Sequence, residues 1–123
     1  MPMMHFEWLP HYFKRDDMLE LGESLDEYLR RAIKVARPSV NHEYKVMIRG
    51  NPHPSIAIGL PDLEIRVEYH EEWMFTEEER NVMSSELASY IEAHLEGKGY
   101  HEAEAKLRLY SLSGYKGVDL QLD

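Results

Sequence analysis

The residue that most directly suggests chemistry is Pro2, which follows Met1. If Met1 is removed, Pro2 becomes a secondary amine, and an unperturbed α-amino group has a pKa of about 8. Burial in an apolar pocket or a nearby cation lowers the pKa of such an amine further, so it can act as a general base near neutral pH. The pyrrolidine ring also fixes the direction of the nitrogen lone pair. Pro2 therefore predicts a proton-transfer site that requires a free amino terminus.

Several other kinds of chemistry are excluded by the residue types present. The 123-residue chain contains no cysteine, which excludes disulfides, thiol nucleophiles and cysteine-based zinc sites. Its seven histidines do not form a HExxH motif or any other recognised ligand spacing. The sequence also lacks a glycine-rich phosphate loop and a nucleophile elbow. We therefore expect neither a metal nor a cofactor.

The charge balance limits the partners that we expect. Fourteen Lys and Arg residues stand against 23 Asp and Glu residues, for a net charge of −9. This excess of negative charge disfavours nucleic acid and anionic membrane surfaces as partners. A small anionic substrate is still compatible with it, because two or three cations can dominate one cleft. The first residues do not resemble a secretory signal and no segment is apolar enough to span a membrane, so we expect a cytoplasmic location.

The residues after Pro2 predict a first β-α-β unit. Strands are indicated by side chains that alternate between two faces, and the helix by apolar residues that recur every three or four positions. The unit consists of a strand over residues 3–8, a helix from Asp16 or Asp17 to just before Pro38, and a strand over residues 43–49. A loop over residues 50–54 and a short edge strand over residues 55–60 follow it.

A second unit of the same order follows. Residues 63–70 show the clearest alternation in the chain and predict a third strand. Thr76 and Glu79 form a capping box, so a helix begins after Thr76, and it ends near Gly97 or Gly99. The remaining predicted elements are a strand over residues 104–112 and a last short strand after the turn at Ser113 and Gly114.

This element order predicts an α+β fold. Two β-α-β units form a four-stranded sheet with both helices on one face, followed by a short C-terminal strand. We expect one domain over residues 1–123, with pseudo-repeat halves at about residues 1–60 and 61–123. Direct residue identity between the halves is slight, so the repeat is one of architecture rather than of sequence.

Met1 and Pro2 at the opening of a strand, two β-α-β units and this chain length together resemble the tautomerase superfamily. That superfamily includes macrophage migration inhibitory factor, 4-oxalocrotonate tautomerase and 5-carboxymethyl-2-hydroxymuconate isomerase. The resemblance in element order extends over nearly the whole chain, whereas the one sharp sequence motif that supports it is Pro2. It implies that Pro2 moves a proton between carbon and oxygen of a small enol or keto acid. It also implies a homotrimer with sites between subunits.

The same resemblance implies cations near the proline, one after the first strand and one on the second strand. Lys14 or Arg15 stands at the first place, and Lys45 resembles the second. A lysine there cannot bind a carboxylate through two parallel hydrogen bonds, as the more usual arginine does. Arg108 holds a comparable position in the second half. We therefore expect Arg15, Lys45 and Arg108 to bind the carboxylate of the substrate.

A second interpretation stays open, in which the chain is a non-catalytic member of the fold or a ferredoxin-like module that binds a small ligand or another subunit. Proline at position 2 also simply promotes removal of the initiator methionine, and exposed cations on strands are more often solvated than catalytic. This alternative predicts that Met1 is retained or that Pro2 is buried away from any pocket. A free Pro2 nitrogen that faces a cavity with a cation would distinguish the two.

The predicted third strand bears on assembly, because one of its faces is charged. A sheet whose second face is charged meets water or lines a subunit junction through paired ions, and we expect the second in a trimer. The residues of this face are Glu64, Arg66, Glu68 and His70.

Overall fold

The computed structural model describes residues 2–41, 43–54, 59–69, 73–111 and 114–122. Each predicted β-α-β unit is present in this part of the chain. The elements in chain order are β1 (Met3–Trp8), α1 (Arg15–Ala36), β2 (Met47–Pro52), β3 (Leu63–Glu68), α2 (Glu77–Gly97), β4 (Ala105–Ser111) and β5 (Gly114–Leu120). The predicted edge strand at residues 55–60 is not observed at residues 59 and 60, and residues 55–58 lie outside the described residues.

The strands form one mixed sheet in the order β2-β1-β3-β4-β5. Within each unit the two strands are parallel, β1 with β2 and β3 with β4, as a helical crossover requires. The two units meet where β1 and β3 run antiparallel, and β5 returns antiparallel to β4 as a fifth strand. The predicted α+β architecture of two β-α-β units with a short C-terminal strand is confirmed.

The core lies between the sheet and the two helices, which pack against each other on one face. Alternate residues of β1 and β3 point into it, as the alternating pattern requires, and the opposite residues face away. Each fully buried large apolar side chain contributes roughly 1.5–3 kcal/mol of transfer free energy. The largest fully buried side chains are Met4, Phe13, Met18, Leu21, Leu25, Leu29, Ile33, Leu63, Ile65, Phe75, Met83 and Leu87. Neither helix in the described part of the chain is long and apolar enough to cross a membrane.

The second strand lies later in the chain than the alternation predicts. We expected it at residues 43–49, and it spans Met47–Pro52, which includes most of the predicted loop. Among the described strands its neighbour is β1, and the parallel register begins with Met3 opposite Met47. Residues 43–46 therefore lie before the first residue of this pairing. Gly50 and Pro52 are typical of a turn when only their near neighbours in sequence are considered, but an edge strand such as β2 also tolerates glycine and proline.

Gly50 in β2 is required by the close approach of a ring. A Cβ atom at this position would lie 2.3 Å from Cζ of Phe6, its register partner on β1. The buried Phe6 ring thus occupies the space that a side chain at position 50 would need. Glycine is selected here by packing rather than by a turn.

Gly50→Ala is therefore expected to destabilise the protein by about 1–3 kcal/mol, because the Phe6 ring must move or the strand must shift. Urea denaturation of the two proteins measures this difference. Gly97→Ala is the matched control, because a Cβ atom at position 97 meets no neighbour within 4 Å. The stability of this variant should not fall below that of the wild type. Equal denaturation midpoints for Gly50→Ala and the wild type would contradict the packing argument.

The start of α2 follows the predicted capping box. The Thr76 hydroxyl accepts a hydrogen bond from the backbone N–H of Glu79 at 3.1 Å, and the Glu79 carboxylate accepts one from the backbone N–H of Thr76 at 2.9 Å. Two of the free donors at the helix start are thereby satisfied. The cap also places Glu79 at the end of the sheet where β1 begins.

Candidate functional site

Pro2 lies directly before β1 and is buried. Its carbonyl oxygen accepts a hydrogen bond from the backbone N–H of Met47 at 3.1 Å, which joins it to the start of β2. The missing N–H of proline removes no donor from the ladder at this position. The antiparallel register that pairs Met3 with Glu68 places Pro2 opposite Tyr69, just after β3. Pro2 therefore lies between the start of β2 and the end of β3.

Four aromatic side chains, which we call the aromatic cluster, pack at this end of the sheet. Tyr69 meets Phe75 edge to face at a ring-centroid distance of 5.0 Å. Phe75 lies 5.3 Å from Trp73, which in turn meets Tyr44 edge to face at 4.9 Å. The surroundings of Pro2 at this end are therefore largely apolar.

Arg37, which ends α1, joins the aromatic cluster to α2. Its guanidinium binds both carboxylate oxygens of Glu79 at 2.7 Å and donates to the carbonyl oxygen of Trp73 at 2.8 Å. It also stacks over the Phe75 ring, with Cζ 4.5 Å from the centroid. A two-point pair of this kind is stronger and more directional than a single ionic contact.

A second arginine of α1, Arg30, holds the segment that leads into β2. It donates to the carbonyl oxygen of Tyr44 at 2.8 Å and lies over the Tyr44 ring at 4.7 Å. Its Nε atom also contacts the carboxylate of Asp26 at 2.6 Å. Sequence reasoning missed both Arg30 and Arg37, because helix periodicity does not show which polar side chains reach an aromatic group elsewhere in the chain.

The electrostatics of this end follow from these contacts. Hydrogen bonds from Arg37 lower the pKa of Glu79 to about 2, with a smaller contribution from the Thr76 cap, while the same pair raises the pKa of Arg37. Burial raises the pKa of Tyr69 well above 10. The Tyr69 hydroxyl is buried and has no hydrogen-bond partner among the described residues.

Lys45 is the one predicted cation that lies near Pro2 in the same chain. It was predicted on the second strand, but it precedes β2 by two residues, because the parallel pairing with β1 begins only at Met47. Its side chain is exposed. Since Met47 bonds the carbonyl of Pro2, Lys45 and Pro2 lie at the same end of the sheet.

Arg15 lies at the opposite end of the sheet from Pro2. It is the first residue of α1 and faces a cavity of about 300 Å³ whose other walls include Trp8, Phe13 and Pro52. β1 runs from Pro2 toward this cavity, and its six residues span about 20 Å at roughly 3.3 Å per residue. One chain does not bring Arg15 and Pro2 together.

Arg108 also lies away from Pro2, in the middle of β4 on the face that the helices leave uncovered. There it is the register partner of Arg66, which in turn faces His5 on β1. Its guanidinium lies 3.9 Å from the carboxylate of Glu64. The structure thus places Arg108 in a charged row across the sheet rather than beside the proline.

This uncovered face carries the charged residues predicted for the third strand. Glu64, Arg66 and Glu68 lie on it, with Arg66 3.4 Å from Glu68, and His70 lies outside the described residues. Alternation in β3 therefore separated the core face from the charged face correctly.

Several cavities are lined by described residues. They lie on the uncovered sheet face beside His5, at Arg15, between α2 and β5, and on the outer surface of the helices near Tyr90. In the same part of the chain, no three His, Asp or Glu side chains are grouped so that they could hold a metal ion.

Two β-α-β units joined through β1 and β3, with both helices on one face, are the arrangement expected from the resemblance to the tautomerase superfamily. The chain has this fold, as comparison with solved structures shows. One of them is the crystal structure of Pt0534 inactivated by 2-oxo-3-pentynoate, with a TM-score of 0.54 and 19% identity over 90% of this chain and 84% of that one. Another is MIF2 of Leishmania major, with a TM-score of 0.54 and 15% identity over 97% of both chains. No protein-family model and no curated protein sequence matches the chain.

Because the folded-state pKa of Glu79 is about 2, against 4.5 for a free glutamate, its ion pair stabilises the protein above pH 4.5. This contribution is lost as the pH falls from about 4.5 to 2. Glu79→Gln keeps an acceptor for the capping box but removes the charge, so it should lower stability near pH 6 by about 1–2 kcal/mol and reduce the loss on acidification. Denaturation series at several pH values measure both effects.

The control for this experiment is Glu78→Gln, an exposed carboxylate in the same helical turn. It should leave the loss of stability between pH 5 and 2 unchanged. An equally steep loss in Glu79→Gln and the wild type would show that the pair with Arg37 does not contribute to acid sensitivity.

Proposed function

We propose that the chain is a tautomerase-like enzyme that moves a proton on a small enol or keto acid, with Pro2 as general base once Met1 has been removed. The observation that carries the proposal is the position of Pro2, buried before β1 in this fold and beside the aromatic cluster. Removal of Met1 takes away the group bonded to the Pro2 nitrogen and frees its lone pair. Apolar surroundings disfavour the charged form of an amine, so they favour the free base near neutral pH.

The proposed reaction is an isomerisation in two proton transfers. The Pro2 nitrogen takes a proton from the carbon next to the carbonyl group, and the electron pair of the C–H bond moves toward the carbonyl oxygen as an enolate forms. The protonated Pro2 then returns the proton to a different atom of the substrate, so no other reactant is consumed. Lys45, at the same end of the sheet, binds the carboxylate of the substrate as a single point charge.

The substrate class is supported by the comparison with Pt0534. That protein is inactivated by 2-oxo-3-pentynoate, which is a small 2-oxo acid. A carboxylate beside a ketone is also the pair of groups that a cation and a proline base are suited to recognise. A small 2-oxo acid is therefore the substrate class that we propose for this chain.

The proposed assembly is a homotrimer in which each site takes residues from two chains. Pro2 and the cavity at Arg15 lie at opposite ends of β1, which spans about 20 Å, so Arg15 can serve only the Pro2 of another subunit. Arg108 on the uncovered face is likewise assigned to a neighbouring site. The cavity at Arg15 and the charged face of β3 are surfaces that such an assembly would use.

The proposed chemistry of Pro2 can be tested by mass spectrometry. The intact mass should show a chain that begins at Pro2, and 2-oxo-3-pentynoate should add once per chain. In this addition the Pro2 nitrogen forms a bond to the alkyne carbon farther from the ketone, and its proton passes to the alkyne carbon next to the ketone, so the mass rises by one whole reagent. Peptide mapping should place the adduct on Pro2.

Two controls accompany the labelling experiment. Pro2→Ala should react at least 10-fold more slowly, because a flexible primary amine lacks the fixed direction of the ring nitrogen. Protein that retains Met1 should not react at this position, since Pro2 is then an amide. Labelling that is unaffected by either change would remove Pro2 from the mechanism.

The proposed site shared between subunits can be tested by mixing variants. Light scattering should give three times the chain mass of 14.5 kDa. Pro2→Ala and Arg15→Ala should each be weakly active alone, and trimers assembled from both should recover turnover, because some sites then combine an intact Pro2 with an intact Arg15. Arg15→Ala mixed with the double variant should not recover, since no chain supplies Arg15. A monomeric protein would contradict the shared site.

A non-catalytic subunit-interaction module is the second candidate. The burial of Pro2 favours it. This candidate predicts normal assembly with Met1 retained and no reaction with 2-oxo-3-pentynoate. The intact mass and the labelling experiment therefore decide between the two functions.

A further inference from the structure

The buried hydroxyl of Tyr69 calls for an explanation. Tyr69 is 8% exposed, and its hydroxyl has no hydrogen-bond partner in the part of the chain that the structure describes. Buried polar groups are almost always hydrogen-bonded, and leaving one unsatisfied costs about 1–3 kcal/mol. A phenylalanine would fill the same space without this cost. The hydroxyl is therefore a candidate for a bond that forms only when a ligand is present.

The placement of Tyr69 connects it to Pro2. The β1–β3 register puts the two residues opposite each other, and such pairs have Cβ atoms about 4.5–5.5 Å apart. Tyr69 shares the helix-covered face with Val67, and Pro2 shares it with Met4. The side chains of Tyr69 and Pro2 are thus neighbours on one face.

Tyr69 is held in place by a backbone hydrogen bond and by a ring contact. Its backbone N–H donates to the carbonyl oxygen of Tyr110 at 3.0 Å, which fixes the end of β3 against β4. Its ring packs edge to face against Phe75, which lies under the guanidinium of Arg37. A donor that is held in this way does not have to reorganise when charge develops next to it.

We propose that the Tyr69 hydroxyl is the donor that stabilises the enolate oxygen of the substrate while Pro2 holds the abstracted proton. This inference rests on the proposed function of Pro2. Burial keeps the phenol protonated, since it raises the pKa of Tyr69 well above 10. The hydroxyl therefore donates a hydrogen bond throughout, and no proton leaves it. A hydrogen-bond donor stabilises a developing oxyanion far more in a site of low dielectric than it does in water.

The experiment compares Tyr69→Phe with the wild type in labelling by 2-oxo-3-pentynoate. Addition of Pro2 to the alkyne places negative charge on the ketone oxygen, so loss of the donor should slow the labelling of Pro2 by about 10- to 100-fold. The denaturation midpoint of the free variant should equal or exceed that of the wild type, because no hydrogen bond is lost on substitution. Slower chemistry without lower stability is the expected signature.

The matched control is Tyr90→Phe, which loses a hydroxyl that donates to Glu86 at 2.8 Å on α2. Its labelling rate should not change. Labelling of Tyr69→Phe at the wild-type rate would overturn the role of Tyr69 and leave that of Pro2 intact. Failure of the wild type to react would overturn both. A Tyr69→Phe protein that is less stable than the wild type would show that the hydroxyl already has a partner, and would also overturn the inference.

Discussion

The antiparallel pairing of β1 with β3 is the constraint on which the rest of the structure depends. It joins the two β-α-β units into one sheet, and its register sets which side chains meet at the centre. A shift of one residue would turn the apolar side chains of one strand away from the helices and bring its charged side chains into the core. The same register places Pro2 opposite Tyr69. Core packing and the geometry of the candidate site are therefore consequences of one alignment.

The helices divide the sheet into two environments with different chemistry. On the covered face the end of α1 and the start of α2 meet the aromatic cluster, and the pair of Arg37 with Glu79 joins the two helices there. On the uncovered face, Arg66 and Arg108 lie side by side, with Glu68 3.4 Å from Arg66 and Glu64 3.9 Å from Arg108. Like charges that are direct neighbours across strands are unfavourable unless opposite charges compensate. The glutamates provide that compensation within this chain.

The candidate site was only partly predictable from sequence. Pro2 was identifiable as a candidate because its chemistry depends on its position next to Met1. Lys45 was expected on the second strand from the family resemblance, but it precedes β2, and its role stays a prediction. Arg15 and Arg108 were assigned by position along the chain, but the sheet places them at the far end and on the other face. Tyr69 was not identified at all, because alternation marks it as a core residue and does not show that its hydroxyl lacks a partner.

The sequence by itself determined the features that depend on near neighbours in the chain. Alternation indicated which faces of β1 and β3 are buried, and the contacts between Thr76 and Glu79 that start α2 span only three residues. The tertiary structure alone decided where β2 begins, since that depends on its pairing with β1, and why Gly50 is needed, since the Phe6 ring approaches from another strand. It also decided which residues surround Pro2. These contacts join residues more than 40 positions apart, and no local pattern of side chains records their distance or direction.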